Sequence, residues 1–170
     1  MLYLLDASVL ITANNSYYPV DSVPEFWEWL LHMGKEGHIK IPLENFEEIK
    51  EGPANREKDL LYDWIQNIDV TDAILFNESV NAALVQEAII KGYAPDLTDT
   101  ELEQLGRDPF LVAYAMVAPA ERTVVTSEVS KPSKIRQNRR LPDVCTSLDI
   151  TPRDPFYLNR VLGFKTNWNK

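Results

Sequence analysis

Leu2-Tyr3-Leu4-Leu5-Asp6 places a short apolar run directly before an acid. The length of the run predicts a buried strand rather than a helix, and Asp6 marks the end of that strand. Far along the chain, Thr123-Val124-Val125-Thr126 is β-branched at every position, which is typical of a central strand. These two segments form the core of the predicted sheet.

Helical patterns lie between these strands. Ser22-Val23-Pro24-Glu25 has the form of a capping box with proline at the first helical position, and Gly34 and Gly37 end the helix that it opens. Residues 38–41 suit a second short strand. Pro42 then opens another helix, which Gly52-Pro53 breaks.

The rest of the chain is also mostly helical in pattern. The signals are an apolar face at residues 60–65, a segment capped by Asn77 and stopped at Gly92, a capping box at Thr98–Glu101, an apolar run at residues 110–117, and helices opened by Pro142 and by Asp154-Pro155. The run at 110–117 is apolar on all sides, so we expect that helix to be buried. Strands alternating with helices predict an α/β protein with a largely parallel sheet, and we expect residues 1–170 to form one domain.

Composition excludes several classes of protein. The 170 residues include 17 Lys and Arg against 26 Asp and Glu, a net charge of −9, which argues against binding to DNA or an anionic membrane through the overall field. Cys145 is the only cysteine, so an intrachain disulfide and a cysteine-based zinc cluster are excluded. The N-terminal run lacks a basic leader, and no apolar run reaches the length of a membrane span. We therefore expect a cytoplasmic protein without a membrane partner.

Four acids are placed to meet at one edge of the sheet. Asp6 ends the first strand, Glu128 follows the strand at 123–126, and Asp108 and Asp143 open the helices before and after that strand. Sites in open parallel sheets form at the carboxyl ends of the strands. Clustered carboxylates repel one another, and a hard divalent cation such as Mg²⁺ or Mn²⁺ relieves that repulsion. The acids therefore suggest a metal site that activates water on a phosphoryl group.

Five segments of the chain carry a family resemblance: Leu4-Leu5-Asp6-Ala7-Ser8-Val9-Leu10, Ile41-Pro42 through Phe46-Glu47-Glu48-Ile49, Gly106-Arg107-Asp108-Pro109-Phe110-Leu111, Val124-Val125-Thr126-Ser127-Glu128, and Leu141-Pro142-Asp143-Val144-Cys145. In this order they resemble PIN domains over nearly the whole chain. The resemblance implies a three-layer α/β/α, Rossmann-like fold and a Mg²⁺- or Mn²⁺-dependent endoribonuclease. Its register places the second acid at Glu48, with Glu44 in reserve.

The resemblance also implies roles and partners. It implies that the metal is held by Asp6, Glu48, Asp108, Glu128 and Asp143, the first four also being catalytic. The best-known relatives are toxins of VapC-type toxin–antitoxin pairs, which implies RNA as substrate, a cognate antitoxin and a homodimer. PIN domains usually carry Asp where this chain has Glu128, and this difference keeps open a second interpretation: a catalytically silent scaffold that binds RNA or a protein.

Basic residues offer a second candidate surface. Residues 131–140, KPSKIRQNRR, contain five basic residues and no acid. In an acidic protein this run predicts contact with the RNA backbone through Lys131, Lys134 and Arg136, and the alternatives are a solvated loop or an antitoxin docking site. Arg107, next to Asp108, is a candidate phosphate clamp or a salt-bridge partner.

Overall fold

A computed structural model describes residues 1–52 and 59–170 of the chain. Its sheet has four strands, all parallel, in the order β2-β1-β3-β4. The strands are β1 (Leu2–Leu5), β2 (Ile39–Lys40), β3 (Arg122–Val125) and β4 (Pro152–Arg153). The two segments that predicted a parallel sheet are thus its central pair, with Leu5 paired to Val125.

Helices make up most of the remaining described chain. They are α1 (Ala7–Thr12), α2 (Pro24–Lys35), α3 (Leu43–Glu51), α4 (Leu60–Gln66), α5 (Ile68–Ile74), α6 (Ala82–Glu87), α7 (Asp99–Leu105), α8 (Asp108–Met116), α9 (Leu141–Ser147) and α10 (Pro155–Val161). A π-helical turn extends α1 over Ala13–Tyr17, and another extends α6 over Ala88–Tyr93. No helix within the described ranges has the length and apolarity that a membrane crossing requires.

The central strands separate two hydrophobic cores. Tyr3, Leu5 and Val125 pack into one core, whereas Leu4 and Val124 pack into the other. This alternation follows from the pleat, because successive side chains of a strand point to opposite faces. Helices cover both faces, so the fold is a three-layer α/β/α sandwich with an all-parallel sheet, as the sequence predicted.

The two cores differ in character. The first is rich in aromatic rings from α2, where Phe26, Trp27 and Trp29 are all buried. The second is built around α8, whose residues 111–115 are all buried. The expectation of a buried helix is confirmed for these residues, whereas Val117, at the end of the predicted run, is 50% exposed and lies beyond the helix. Burial of the helix fixes the first turn of α8, and therefore Asp108, against the sheet edge.

Of three helix caps that the sequence predicted, at Ser22, Asn77 and Thr98, one is present in the structure and two are not. The capping box at Thr98–Glu101 is present, with Thr98 Oγ1 accepting from Glu101 N and Glu101 accepting from Thr98 N. Two predicted caps are wrong. The residue before α2 is Val23, which provides no side-chain cap, so Ser22 does not cap that helix. Asn81, not Asn77, caps α6 through bonds to Ala83 N and Leu84 N.

The end of α3 matches its prediction. The helix stops at Glu51 and is followed by Gly52. Pro53, the second residue of the predicted break, lies outside the described residues.

Candidate active site

Asp6 lies where the two central strands end. It follows β1 and precedes α1, and its backbone N–H donates to Val125 O at 2.9 Å. Only 6% of its surface is exposed. Thr126, the residue after β3, is buried beside it. Parallel pairing of β1 with β3 therefore brings together two polar residues from opposite ends of the sequence.

Three side chains hold the Asp6 carboxylate. Ser8 Oγ and Thr126 Oγ1 both donate to Oδ2, at 2.5 and 2.8 Å. Asn45 Nδ2 donates to Oδ1 at 3.4 Å from within α3. Because these donors come from three different elements, they fix the orientation of the carboxylate against the packed sheet.

The acids predicted from the sequence affect one another's pKa values. The pKa of Asp108 lies well above its ordinary value because of burial and, in decreasing order, the charges of Asp6, Glu128 and Glu48. The pKa of Glu48 is also raised, first by partial desolvation and then by the charge of Asp6. We call Asp6, Glu48, Asp108 and Glu128 the carboxylate site. In the described part of the chain, these acids do not form a preassembled group of three that could hold a metal ion.

The carboxylate site contains neighbours that sequence reasoning missed. The Tyr93 hydroxyl is buried without a hydrogen-bond partner among the described residues, and its influence partly offsets the rise in the pKa of Asp108. Burial, followed by the charge of Asp108, raises the pKa of Tyr93 itself. Buried Asn45 has an Oδ1 atom without a hydrogen-bond partner among the described residues.

Sequence signals for these neighbours were unequal. Asn45 lies three residues before Glu48 on α3, so helical spacing places both on one face. Ser8 lies two residues after Asp6, within reach of its carboxylate. Tyr93 had no comparable signal, because its position depends on the π-helical turn that extends α6.

Glu128 is anchored at the edge of the carboxylate site. Its backbone N–H donates to Thr126 Oγ1 at 3.1 Å. Its Oε2 accepts from Leu141 N at 2.9 Å, at the start of α9, and Arg140 Nη1 lies 3.6 Å from Oε1. One carboxylate oxygen of Glu128 is therefore occupied, and the other has only a long ion pair.

The Asp143 carboxylate accepts hydrogen bonds from the neighbouring loop. Its Oδ1 accepts from Ser130 Oγ at 2.5 Å, and its Oδ2 accepts from Lys131 N at 2.7 Å. Asp143 is not among the charges that raise the pKa of Asp108 or Glu48. Its contacts tie the 130–131 segment to α9, and they lend no support to the metal role predicted for it.

The choice between Glu48 and Glu44 follows from their surroundings. Glu48 shares the field of Asp6 and Asp108. Glu44 instead lies beside Tyr114, whose pKa is raised to about 12 by burial and then by the Glu44 charge. The electrostatic surroundings thus favour Glu48 as the second acid.

Arg107 acts as a salt-bridge partner in this structure. Its Nη1 donates to Glu44 O at 2.5 Å, and its Nη2 lies 2.6 Å from Glu51 Oε1. Arg107 directly precedes α8, so these contacts tie both ends of α3 to the start of α8. The charge of Arg107 also opposes the rise in the pKa of Glu48.

The predicted RNA-contacting residues fall into two groups. Arg136 makes ion pairs of 2.8 Å with both Asp96 and Glu101. Lys131 and Lys134 are exposed, and neither forms a salt bridge within the described ranges. Arg136 is therefore engaged in ion pairs within the chain, whereas the two lysines are accessible to a ligand in solvent.

Comparison with known proteins shows the family of the chain. Residues 3–166 match the model of a family described as a domain of unknown function (DUF4411), and the chain belongs to that family. A search of curated proteins finds no match.

Proposed function

We propose that this chain is a PIN-like, Mg²⁺- or Mn²⁺-dependent endoribonuclease. The observation that supports the proposal is the placing of desolvated carboxyls at one sheet edge, where burial first and then the mutual repulsion of the acids raise the pKa values of Asp108 and Glu48. Such repulsion destabilises the metal-free fold at neutral pH. Unfavourable electrostatics of this kind at the carboxyl edge of a parallel sheet are typical of a functional site.

The donor set fits a hard divalent cation. Carboxylate oxygens are the ligands that Mg²⁺ and Mn²⁺ prefer, and the unpartnered Asn45 Oδ1 adds a neutral oxygen beside them. Asp6, Asp108 and Glu48 would hold the ion, with Glu128 directly or through water. When bound, the ion supplies an activated water and stabilises charge on the phosphoryl oxygens.

The protein's own contribution is orientation. Ser8, Thr126 and Asn45 hold the Asp6 carboxylate in one position. Arg107 fixes α3 and with it Glu48. Asp6 and Glu48 are thereby held in place, and fixed groups of this kind contribute to enzymatic rate enhancement. The acids as a group must still draw together to hold an ion, because the described residues contain no preassembled group of three.

The proposal extends to biological role through the resemblance to VapC-type toxins. On that basis the substrate is RNA, the partner is a cognate antitoxin, and the active form is a homodimer. These assignments rest on the PIN-like segments around Asp6, Asp108 and Glu128.

Cleavage of a pool of labelled RNAs tests the proposal. We expect cleavage in Mn²⁺, its loss in EDTA, and a loss of at least about 100-fold in the Asp6→Asn/Asp108→Asn double variant, since both changes remove metal-binding oxygens. The matched control is Asp72→Asn, an exposed acid on α5, which should cleave like the wild type. Cleavage that survives the double variant would refute the assignment.

A silent scaffold is the second candidate. The anchoring of Glu128 by Leu141 N favours it, because an acid used as a helix-terminal acceptor is less available to a metal. Titration calorimetry with Mn²⁺ separates the two candidates. Binding that disappears in the double variant supports the nuclease, and absence of binding by the wild type supports the scaffold.

A further inference from the structure

A cavity of about 240 Å³ opens beside the carboxylate site. It lies between the π-helical turn after α1, the first turns of α10, and the 127–129 segment. Its lining is mainly apolar and includes the rings of Tyr17, Tyr18 and Phe156, with polar groups from Ser127, Glu128, Asp154 and Asn159. It is far larger than a single water needs, ~30 Å³, and slightly smaller than pockets for drug-sized ligands, ~300–1,000 Å³.

The cavity shares a wall residue with the carboxylate site. Glu128 belongs to both. Ser127, also in the cavity wall, donates through its backbone N–H to Ser8 Oγ at 3.1 Å, and Ser8 in turn donates to Asp6. A group in the cavity is therefore separated from Asp6 by side chains of the site itself.

Two exposed aromatic rings flank the cavity. Tyr17 is 52% and Phe156 42% exposed, and their centroids lie 5.1 Å apart at an angle of 80°. Exposed aromatic rings beside a concave surface are a means by which proteins bind unpaired bases through stacking.

Polar groups line the same cavity. Asn159 Nδ2 donates to the Tyr18 hydroxyl at 3.3 Å. Asp154 Oδ1 accepts from Tyr157 N at 2.8 Å as the cap of α10. Apolar faces together with a few fixed polar groups match a planar ligand that has hydrogen-bonding atoms along its edge.

We propose that this cavity receives one unstacked base of single-stranded RNA, next to the phosphate positioned at the carboxylate site. The inference rests on the proposed function, because the RNA is the substrate of that site. It adds that the chain recognises a splayed-out base beside the cleavage point, and it assigns Tyr17 and Phe156 as stacking residues.

Binding measured without cleavage tests the inference. Wild-type protein in Ca²⁺ is titrated with a fluorescent random-sequence RNA and with an abasic strand of equal length, and gels check that both strands stay intact. We expect Tyr17→Ala and Phe156→Ala each to weaken binding of the base-bearing strand by about tenfold. Binding of the abasic strand should not change.

Two controls separate stacking from general damage. Ile68→Ala removes an apolar side chain that is 68% exposed on α5 and should bind both strands like the wild type. Phe156→Tyr keeps the ring and should restore binding of the base-bearing strand. Circular dichroism confirms that each variant is folded.

The outcomes distinguish the inference from the proposed function. Equal weakening of both strands, or no weakening, would overturn the base site and leave the cavity to an apolar side chain of a protein partner. Base-dependent binding without cleavage in Mn²⁺ would overturn only the nuclease proposal. Cleavage without base-dependent binding would overturn only the inference.

Discussion

The carboxylate site and the basic loop (residues 131–140) both carry concentrated charge of one sign, yet the fold treats them differently. In the carboxylate site, burial and then the neighbouring acids raise the pKa values of Asp108 and Glu48, and the charge of Arg107 opposes that rise at Glu48. In the basic loop, Arg136 is neutralised by Asp96 and Glu101. Arg139 donates to Gly92 O and Asp143 O.

This difference separates charge that is kept reactive from charge that holds structure. An ion pair satisfies both partners and leaves neither available to a ligand. Repelling carboxylates cost folding free energy that a bound cation would recover. The sequence singled out the acids by their places beside strands and helices and the basic loop by its run of cations, whereas the pairing of these charges is visible only in the fold.

The largest expected effect comes from Asp108→Asn. We expect this change to reduce Mn²⁺-dependent cleavage by at least about 100-fold and to raise the melting temperature of the metal-free protein at pH 7. The variant removes a charge that burial and three neighbouring acids disfavour. Cleavage assays and calorimetry in EDTA measure the two effects.

The pH dependence of that stability has a definite sign. A carboxyl whose folded pKa is raised binds more protons in the folded state, so stability falls as pH rises from its ordinary pKa through the folded value. We expect wild-type stability to decline over this window above the ordinary Asp pKa, and the decline to be smaller in Asp108→Asn. A variant that is less stable than the wild type at pH 7 would contradict the repulsion on which the comparison rests.

Much of the fold could be predicted because its signals are local. The run at residues 2–5 and the branched run at 123–126 identify buried strands without tertiary information. Strand β4 was not predicted, since it is two residues long and begins with Pro152. Helix α1 was not predicted either, because Val9, Ile11 and Thr12 are β-branched and weaken the helical pattern.

The candidate site was predictable in part for the same reason. Asp6 and Glu128 follow strands and Asp108 opens a helix, so topology alone places them at one edge. Tyr93 reaches Asp108 only through packing of a distant helical turn. Whether Arg136 pairs with RNA or with Glu101 depends on a tertiary contact between the basic loop and α7, which no local pattern reveals.

A smaller effect is expected from the exposed lysines. If the nuclease proposal holds, the Lys131→Gln/Lys134→Gln variant should bind single-stranded RNA more weakly and with a shallower salt dependence, by about 0.7 in log–log slope for each phosphate that the variant no longer neutralises. Arg136→Gln should leave the slope unchanged, because its guanidinium is already paired. Anisotropy titrations across a range of salt concentrations measure these slopes. A shallower slope in Arg136→Gln would place this arginine on the RNA.

The smallest effect is the titration of Glu101. The pKa of Glu101 is lowered to about 2, first by its hydrogen bonds to Arg136 and then by the backbone N–H of Thr98. In Arg136→Gln we expect this pKa to rise but to stay below its ordinary value, because the Thr98 N–H still donates to the carboxylate. Carboxyl-carbon NMR titration measures the change.

The sign for stability is opposite to that of Asp108. A lowered folded pKa contributes stability above the ordinary pKa of Glu101, and this contribution is lost as pH falls toward 2. Since both partners are partly exposed to solvent, the contribution is small and screened by salt. If Glu101 in the wild type instead titrated at its ordinary pKa, the ion pair would not persist in solution. Arg136 would then be as available to RNA as Lys131 and Lys134, and the contrast between the two charged regions would fail.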